Sequence, residues 1–221
     1  MIPEKVQDII NNLGHPDLEV SGKYPNGSWL KWKKALSISD LHISEWDKYT
    51  ERTIAPCEVV LDYDDFSCVR CGKETNNLKC QHCKHIHTKL KRKCMIRKKV
   101  RLIIEQLDEQ NYKYKAYKTG GKGFHIHMIF PELVFLEHNK RRKYKINIIK
   151  KFDGELIKAS KRVMIMLEGS KHRKTGSRKL LIKEKKGNNY GLFEWERRKR
   201  LKHLKRKLLF SPVFMLYWFF L

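Results

Sequence analysis

Four cysteines stand in two close pairs, Cys68-x-x-Cys71 and Cys80-x-x-Cys83. This spacing dictates local structure, because two facing C-x-x-C turns bring four thiolates to the corners of a tetrahedron, the geometry that zinc takes. A disulfide framework would disperse its cysteines along the chain instead. Four protein ligands leave no open coordination position, so the spacing predicts a structural Zn²⁺ knuckle over residues 66–87. His82, His85 and His87 are close enough in sequence to replace one of the four. Cys57 and Cys94 fall outside the pattern and read as small buried residues.

The knuckle interrupts a mixed pattern of strands and helices. Residues 58–64 alternate Val59, Leu61 and Tyr63 with Val60, Asp62 and Asp64, which predicts a strand. Ile96, Val100, Ile103, Ile104 and Leu107 form one apolar stripe at helical spacing, predicting a helix over 95–111. Strands are expected at 112–118, 124–130 and 179–182, with an apolar stretch at 163–167 and a basic region at 140–151. A short helix is expected at 3–13 and a Gly/Pro/Asn-rich loop at 14–28. The fold class that follows is α/β (α+β): a mixed-sheet domain with the knuckle inserted between its first clear strand and its main helix. We divide it into an N-terminal region at 1–55, a core at 56–182, and a basic C-terminal segment with an apolar tail at 183–221.

Lys and Arg outnumber Asp and Glu by 49 to 24, a formal net charge of +25, which points to a polyanionic partner. A hydrophobic content of 41% excludes global disorder. The charged start MIPEKVQDIINNL carries no secretory pattern, so a cytoplasmic location is expected. The apolar end SPVFMLYWFFL is too short to span a bilayer as a helix, and no membrane partner is expected.

Three constellations carry possible chemistry. The period of two puts Asp62 and Asp64 on one strand face, with Asp65 directed away. Paired carboxylates repel unless a cation bridges them, and hard oxygen ligands suit Mg²⁺ or Mn²⁺. In Thr119-Gly120-Gly121-Lys122-Gly123-Phe124-His125, the glycines let backbone N–H groups approach phosphate oxygens, and Lys122 and His125 add donors. Ser170-Lys171-His172-Arg173-Lys174-Thr175-Gly176 is a second phosphate-handling composition.

Taken in this order, the motifs resemble those of the small catalytic subunit of the archaeo-eukaryotic DNA primases. The strand closing in Asp62-Tyr63-Asp64 resembles the family's first metal motif. Thr119 to His125 resembles its S-G-x-x-G-x-H, with Thr119 for Ser and Lys122 for the usual Arg. Ser170 to Gly176 resembles its S-x-H-x-K-T-G. Leu167-Glu168-Gly169 stands where the family has L-P-G. The resemblance covers about residues 56–182. It implies a primase-type catalytic domain and a nucleotidyltransferase that makes short primers from nucleoside triphosphates on single-stranded DNA for replication. It also implies a large-subunit partner and two Mg²⁺ or Mn²⁺ ions held by Asp62, Asp64 and a third carboxylate, here assigned to Asp153 with Glu155 in reserve. Thr119, Gly120, Lys122, Gly123, His125, His172 and Lys174 are then the nucleotide-binding residues. Two other readings stand beside it. A rolling-circle nicking initiator would use His125-Ile126-His127 for metal and Tyr144 as nucleophile. A non-catalytic zinc-containing nucleic-acid-binding protein would need only the charge and the knuckle.

Overall fold

The structure is a computed structural model, and it describes residues 18–22, 33–35, 50–160 and 163–189. The helix expected at 3–13 and the apolar C-terminal tail lie outside these residues. One antiparallel sheet comprises β1 (Leu18–Gly22), β2 (Lys33–Ala35), β3 (Thr50–Thr53) and β9 (Met164–Met166), in the order β2-β1-β3-β9. The second comprises β4 (Glu58–Tyr63), β7 (Tyr114–Lys118), β8 (Phe124–Ile129) and β10 (Leu180–Lys185), in the order β10-β7-β8-β4, again antiparallel. A two-stranded hairpin, β5 (Phe66–Ser67) with β6 (Glu74–Thr75), belongs to the knuckle. Strand β1 falls where a loop was expected, because pairing with β2 and β3 outweighs the local turn composition. Strand β10 continues past the boundary expected at 182, and Asn189 then bonds the main chain of Lys113 and Ile129.

The β4–β8 register separates two chemistries onto two faces. Val59, Leu61 and Tyr63 lie opposite Met128, Ile126 and Phe124, and all six are buried. Two helices meet this apolar face. Helix α1 (Lys89–Glu109) buries Ile96, Val100, Ile103, Ile104 and Leu107, each contributing roughly 1.5–3 kcal/mol gross. It begins six residues before the expected start because the Thr88 hydroxyl accepts the Lys91 N–H at 3.1 Å and caps it. It ends where Asn111 turns left-handed (φ +56) and the Tyr112 N–H closes onto the Leu107 carbonyl. Helix α2 (His138–Lys151) occupies the basic region, for which the sequence pattern predicts no helix. Only Lys145, Ile148 and Ile149 of it are buried, so its apolar stripe is too thin to stand out. The Tyr63 hydroxyl donates to the Phe152 carbonyl at 2.6 Å and pins strand β4 to the end of α2.

The opposite face carries Glu58, Val60 and Asp62 beside His127 and His125. Here Arg52 of β3 donates to Glu58 at 2.7 Å and to Glu168 at 2.9 Å, while Lys179 donates to Glu168 at 3.0 Å. His127 closes the network, its Nδ1 lying 2.6 Å from Glu58 and its Nε2 3.1 Å from the Lys179 ammonium. These contacts require the tautomer that donates from Nδ1 and accepts at Nε2. All five residues are at most 5% exposed. Burial works against ionisation of both carboxylates, yet Arg52 overcomes it and holds Glu58 and Glu168 well below the usual range. Burial and the neighbouring Lys179 push His127 down to about 4, so it stays neutral. This charged cluster ties the first sheet to the second and reaches His125 through His127, their ring centroids 5.9 Å apart.

Candidate metal and phosphate site

Strand β4 ends at Tyr63, so Asp62 precedes that end while Asp64 and Asp65 follow it, and the acidic cluster they form with Glu155 does not include Asp62. Asp62 is still in the strand, opposite His125. Its carboxylate meets His125 Nε2 at 3.5 Å and the Lys158 ammonium at 2.9 Å. Burial disfavours the Asp62 charge, but His125 and Lys158 together hold it well below the usual carboxylate range. Burial also lowers His125, so near neutral pH Lys158 is the standing counter-charge and the imidazole serves by hydrogen bonding. Beyond the strand the period of two lapses, and Asp65 does not turn away as expected. One oxygen each from Asp64, Asp65 and Glu155 lie within 4.8 Å of one another. Asp65 Oδ1 is buried with no hydrogen-bond partner. Burial and the charges of Asp62 and Asp64 push Glu155 up to about 7. Burial and then Asp64 raise Asp65 as well. A cluster of crowded carboxylates with an orphaned oxygen fits a hard divalent cation.

Asp153 sits apart from that cluster. It is the left-handed residue (φ +52) that terminates α2, with the Gly154 N–H returning to the Ile149 carbonyl. Its side chain is 72% exposed and pairs with Lys99 of α1 at 2.7 Å. Asp153 and Glu155 nevertheless line one cavity with Asp62, Asp65, Glu74 and Lys99.

The glycine turn is clamped between the aspartates and the last motif. Thr119 donates to the Gly123 carbonyl through its hydroxyl at 3.0 Å, which closes the turn. A Cβ on Gly123 would stand 2.9 Å from Asp64 Cβ, and one on Gly121 would stand 2.8 Å from His172 Nε2. Gly120, left-handed at φ +76, faces the Ser177 carbonyl so closely that no side chain fits. Thr175 donates to the Gly120 carbonyl at 2.7 Å, and the His172 N–H bonds the Ser177 carbonyl at 2.8 Å. Lys122 reaches Asp64 at 2.8 Å, His125 lies behind Asp62, and Lys174 is exposed on the adjoining loop. The fold therefore brings the three sequence-distant motifs to one place. Lys158 and Lys99 complete it and were not singled out from sequence. Glu155 and Lys158 are three residues apart, a spacing that a short helical turn (Leu156–Ala159) makes adjacent.

In the knuckle, Cys68, Cys71, Cys80 and Cys83 gather with one sulfur each inside 4.8 Å. Cys68 and Cys83 are 3.5 Å apart, and Cys71 and Cys80 3.7 Å. Zinc–sulfur bonds of about 2.3 Å in a tetrahedron require roughly 3.8 Å between sulfurs, so the four thiols fit the ion. Each pair is followed by a left-handed residue, Gly72 (φ +71) and Lys84 (φ +60), with returning N–H bonds to Cys68 and Cys80. His87 Nε2 lies 3.3 Å from the Cys68 sulfur, beside the four rather than among them. Of the remaining cysteines, Cys57 is buried as expected. Cys94 is exposed, because it falls on the solvent side of α1.

Both ring nitrogens of His127 are engaged in the buried network, which leaves the His125-Ile126-His127 pair without a shared metal position. Tyr144 packs edge-on against Phe130, and burial raises its hydroxyl pKa. Neither arrangement suits a nicking centre.

No protein-family model matches the chain, and no curated protein matches it in sequence. Among solved structures, a crystal structure of primase RepB′ superposes with a TM-score of 0.51 at 11% identity. The match takes in 90% of this chain, which spans 65% of that chain's length. The shared fold is primase-like: mixed α+β, with antiparallel sheets and, in this chain, four clustered cysteines able to form a zinc site.

Proposed function

We propose that this chain is a primase-type nucleotidyltransferase, related to the small catalytic subunit of archaeo-eukaryotic primases, that synthesises primers from nucleoside triphosphates on a single-stranded DNA template. The observation that carries this reading is the convergence of three motifs: Gly123 against Asp64, Gly121 against His172. The primase-like fold supports it. Asp62, Asp64 and one further carboxylate are the candidates to hold two Mg²⁺ or Mn²⁺ ions, with Glu155 favoured over Asp153 by its place in the acidic cluster. When bound, such ions neutralise phosphate charge and polarise the attacking hydroxyl.

The chain's own residues would act by positioning. Backbone N–H groups of the Gly120–Gly123 turn, with Lys122, His125, His172 and Lys174, grip the triphosphate. The 3′-hydroxyl of one nucleotide then attacks the α-phosphorus of the next, and pyrophosphate leaves. The zinc knuckle is structural. A large-subunit partner, implied by the family resemblance, completes the assembly.

The test is primer synthesis on single-stranded DNA with labelled ribo- and deoxynucleotides and either Mg²⁺ or Mn²⁺. Template-dependent products that vanish in Asp62→Ala/Asp64→Ala, while DNA binding persists, are expected. Their absence from the wild-type protein under both metals would favour the binding-protein reading.

A further inference from the structure

The net charge of the chain is not evenly used. Residues 89–101, the first thirteen of α1, hold eight Lys or Arg and no acid, whereas the rest of the helix holds Glu105, Asp108 and Glu109. This is the reverse of what the helix dipole favours, so the arrangement opposes the helix's own stability. Lys91, Lys98 and Arg101 are exposed and fall on the stripe opposite the buried Ile96, Val100 and Ile103. The knuckle, joined to α1 through Lys99 and Glu74, adds exposed Lys73, Lys79 and Lys84. Lys99, the next residue along, bonds Glu74 of the knuckle and Asp153, and it lines the cavity that holds Asp62, Asp65 and Glu155. The cationic surface therefore starts at the rim of the acidic site.

Helix α2 is also basic, but much of its charge is already committed. Arg141 donates to the carbonyls of Leu133, Val134 and Leu136, Lys145 to that of Ala55, and Lys151 lies over the Tyr112 and Phe152 rings. Its final Lys150 and Lys151 agree with the helix dipole. On the α1–knuckle surface Arg101 pairs with Glu105 at 3.0 Å, an exposed i,i+4 pair that holds little energy, and Lys84 donates to the Gln81 carbonyl. Lys91 and Lys98, by contrast, make no side-chain hydrogen bond or ion pair among the described residues.

We infer that the outer face of α1, with the knuckle, is the track for the phosphate backbone of a nucleic-acid duplex leaving the acidic site. The inference rests on the proposed synthesis and deepens it. Proteins that hold single strands stack bases on aromatic side chains, and residues 68–101 contain no Phe, Tyr or Trp. A rigid rod of cations suits the regular backbone of a duplex instead. From Lys91 to Arg101 the helix rises about 15 Å. Measured along the duplex axis, that is the rise of about four phosphates of one strand at roughly 3.4 Å each.

The experiment compares Lys91→Gln/Lys98→Gln/Arg101→Gln with a control of equal charge on α2, Lys140→Gln/Arg142→Gln/Lys143→Gln, in the full chain. Binding of a labelled primer–template duplex and of single-stranded DNA is measured by anisotropy against salt. The α1 variant should lose about tenfold or more in duplex affinity. Its log K against log salt slope should flatten by nearly 3, about 0.9 per lost contact. Single-strand binding should change less, and the α2 control should keep its duplex binding. Equal losses in both variants, or a loss confined to single strands, would overturn the inference. Zinc content and circular dichroism identify a variant that has merely misfolded, and the single substitution Lys98→Glu then replaces the triple one. A wild-type protein that fails to incorporate nucleotides but shows the α1-specific duplex loss refutes the synthesis alone. Incorporation without that loss refutes the track alone.

Discussion

Gly121 lies so close to His172 that a Cβ would stand 2.8 Å from the imidazole Nε2. The neighbour here is the tip of a side chain, whereas at Gly120 it is the Ser177 main-chain carbonyl, at a left-handed φ of +76. The two glycines therefore differ in kind. Gly121→Ala should displace His172 with little loss of stability, raising the KM for nucleoside triphosphate severalfold. Gly120→Ala should cost about 1–3 kcal/mol in denaturant unfolding. Comparable stabilities for the two variants would contradict this.

The acidic cluster gives an expected order of metal affinity for the carboxylates. Asp64→Asn and Glu155→Gln should each weaken Mn²⁺ binding about tenfold or more. Asp153→Asn should leave it within about threefold, because Asp153 terminates α2 and pairs with Lys99. Mn²⁺ titration followed by electron paramagnetic resonance measures all three. A dominant effect at Asp153 would return the third-ligand role to it.

Breaking the buried network should be expensive. Arg52→Met leaves Glu58 and Glu168 without their shared guanidinium and should cost about 3–5 kcal/mol in urea unfolding.

The same cluster sets an acid limit. His127 is held at about 4 against a usual 6.5, so the unfolded chain takes up its proton first and stability falls as pH drops from 6.5 towards 4. Glu58 and Glu168 are depressed from 4.5, so their contribution is present above that value and is lost as pH falls below it. One histidine imposes a slope of at most about 1.4 kcal/mol per pH unit. Unfolding free energy measured at a series of pH values should show this slope, and His127→Gln should flatten its upper part.

The knuckle should bind one Zn²⁺ per chain. Chelation or Cys80→Ser should expose Phe66 and His87 to solvent and lower the melting temperature, with zinc measured by atomic absorption. An unchanged melt after complete zinc removal would contradict a structural role.

Much of the fold was readable where local rules act alone. The alternation in 58–63, the apolar stripe of α1 and the cysteine spacing each specify their element directly. Helix α2 was missed because burying only Lys145, Ile148 and Ile149 leaves almost no periodic signal. Its end hid a further ambiguity: Asp153 and Glu155 flank Gly154, and only the chain reversal there separates a helix terminator from a member of the acidic cluster. Lys158 could not be weighted from sequence, since its meeting with Asp62 depends on how α2 returns to β4. The Arg52 network was unreadable for the same reason, joining residues more than a hundred positions apart.

Lys122 has two contacts at once: its ammonium lies 2.8 Å from Asp64 and 3.2 Å from the Asn76 carbonyl in the knuckle. A cation that takes over the charge of Asp64 thereby frees Lys122 for an incoming phosphate, and a phosphate that recruits Lys122 uncovers Asp64 for a cation. The two ligands are then obliged to strengthen one another by the same factor, whichever arrives first. Measuring nucleotide affinity with and without Mn²⁺, and Mn²⁺ affinity with and without nucleotide, in wild type and in Lys122→Met, gives that factor and shows whether it resides in this lysine.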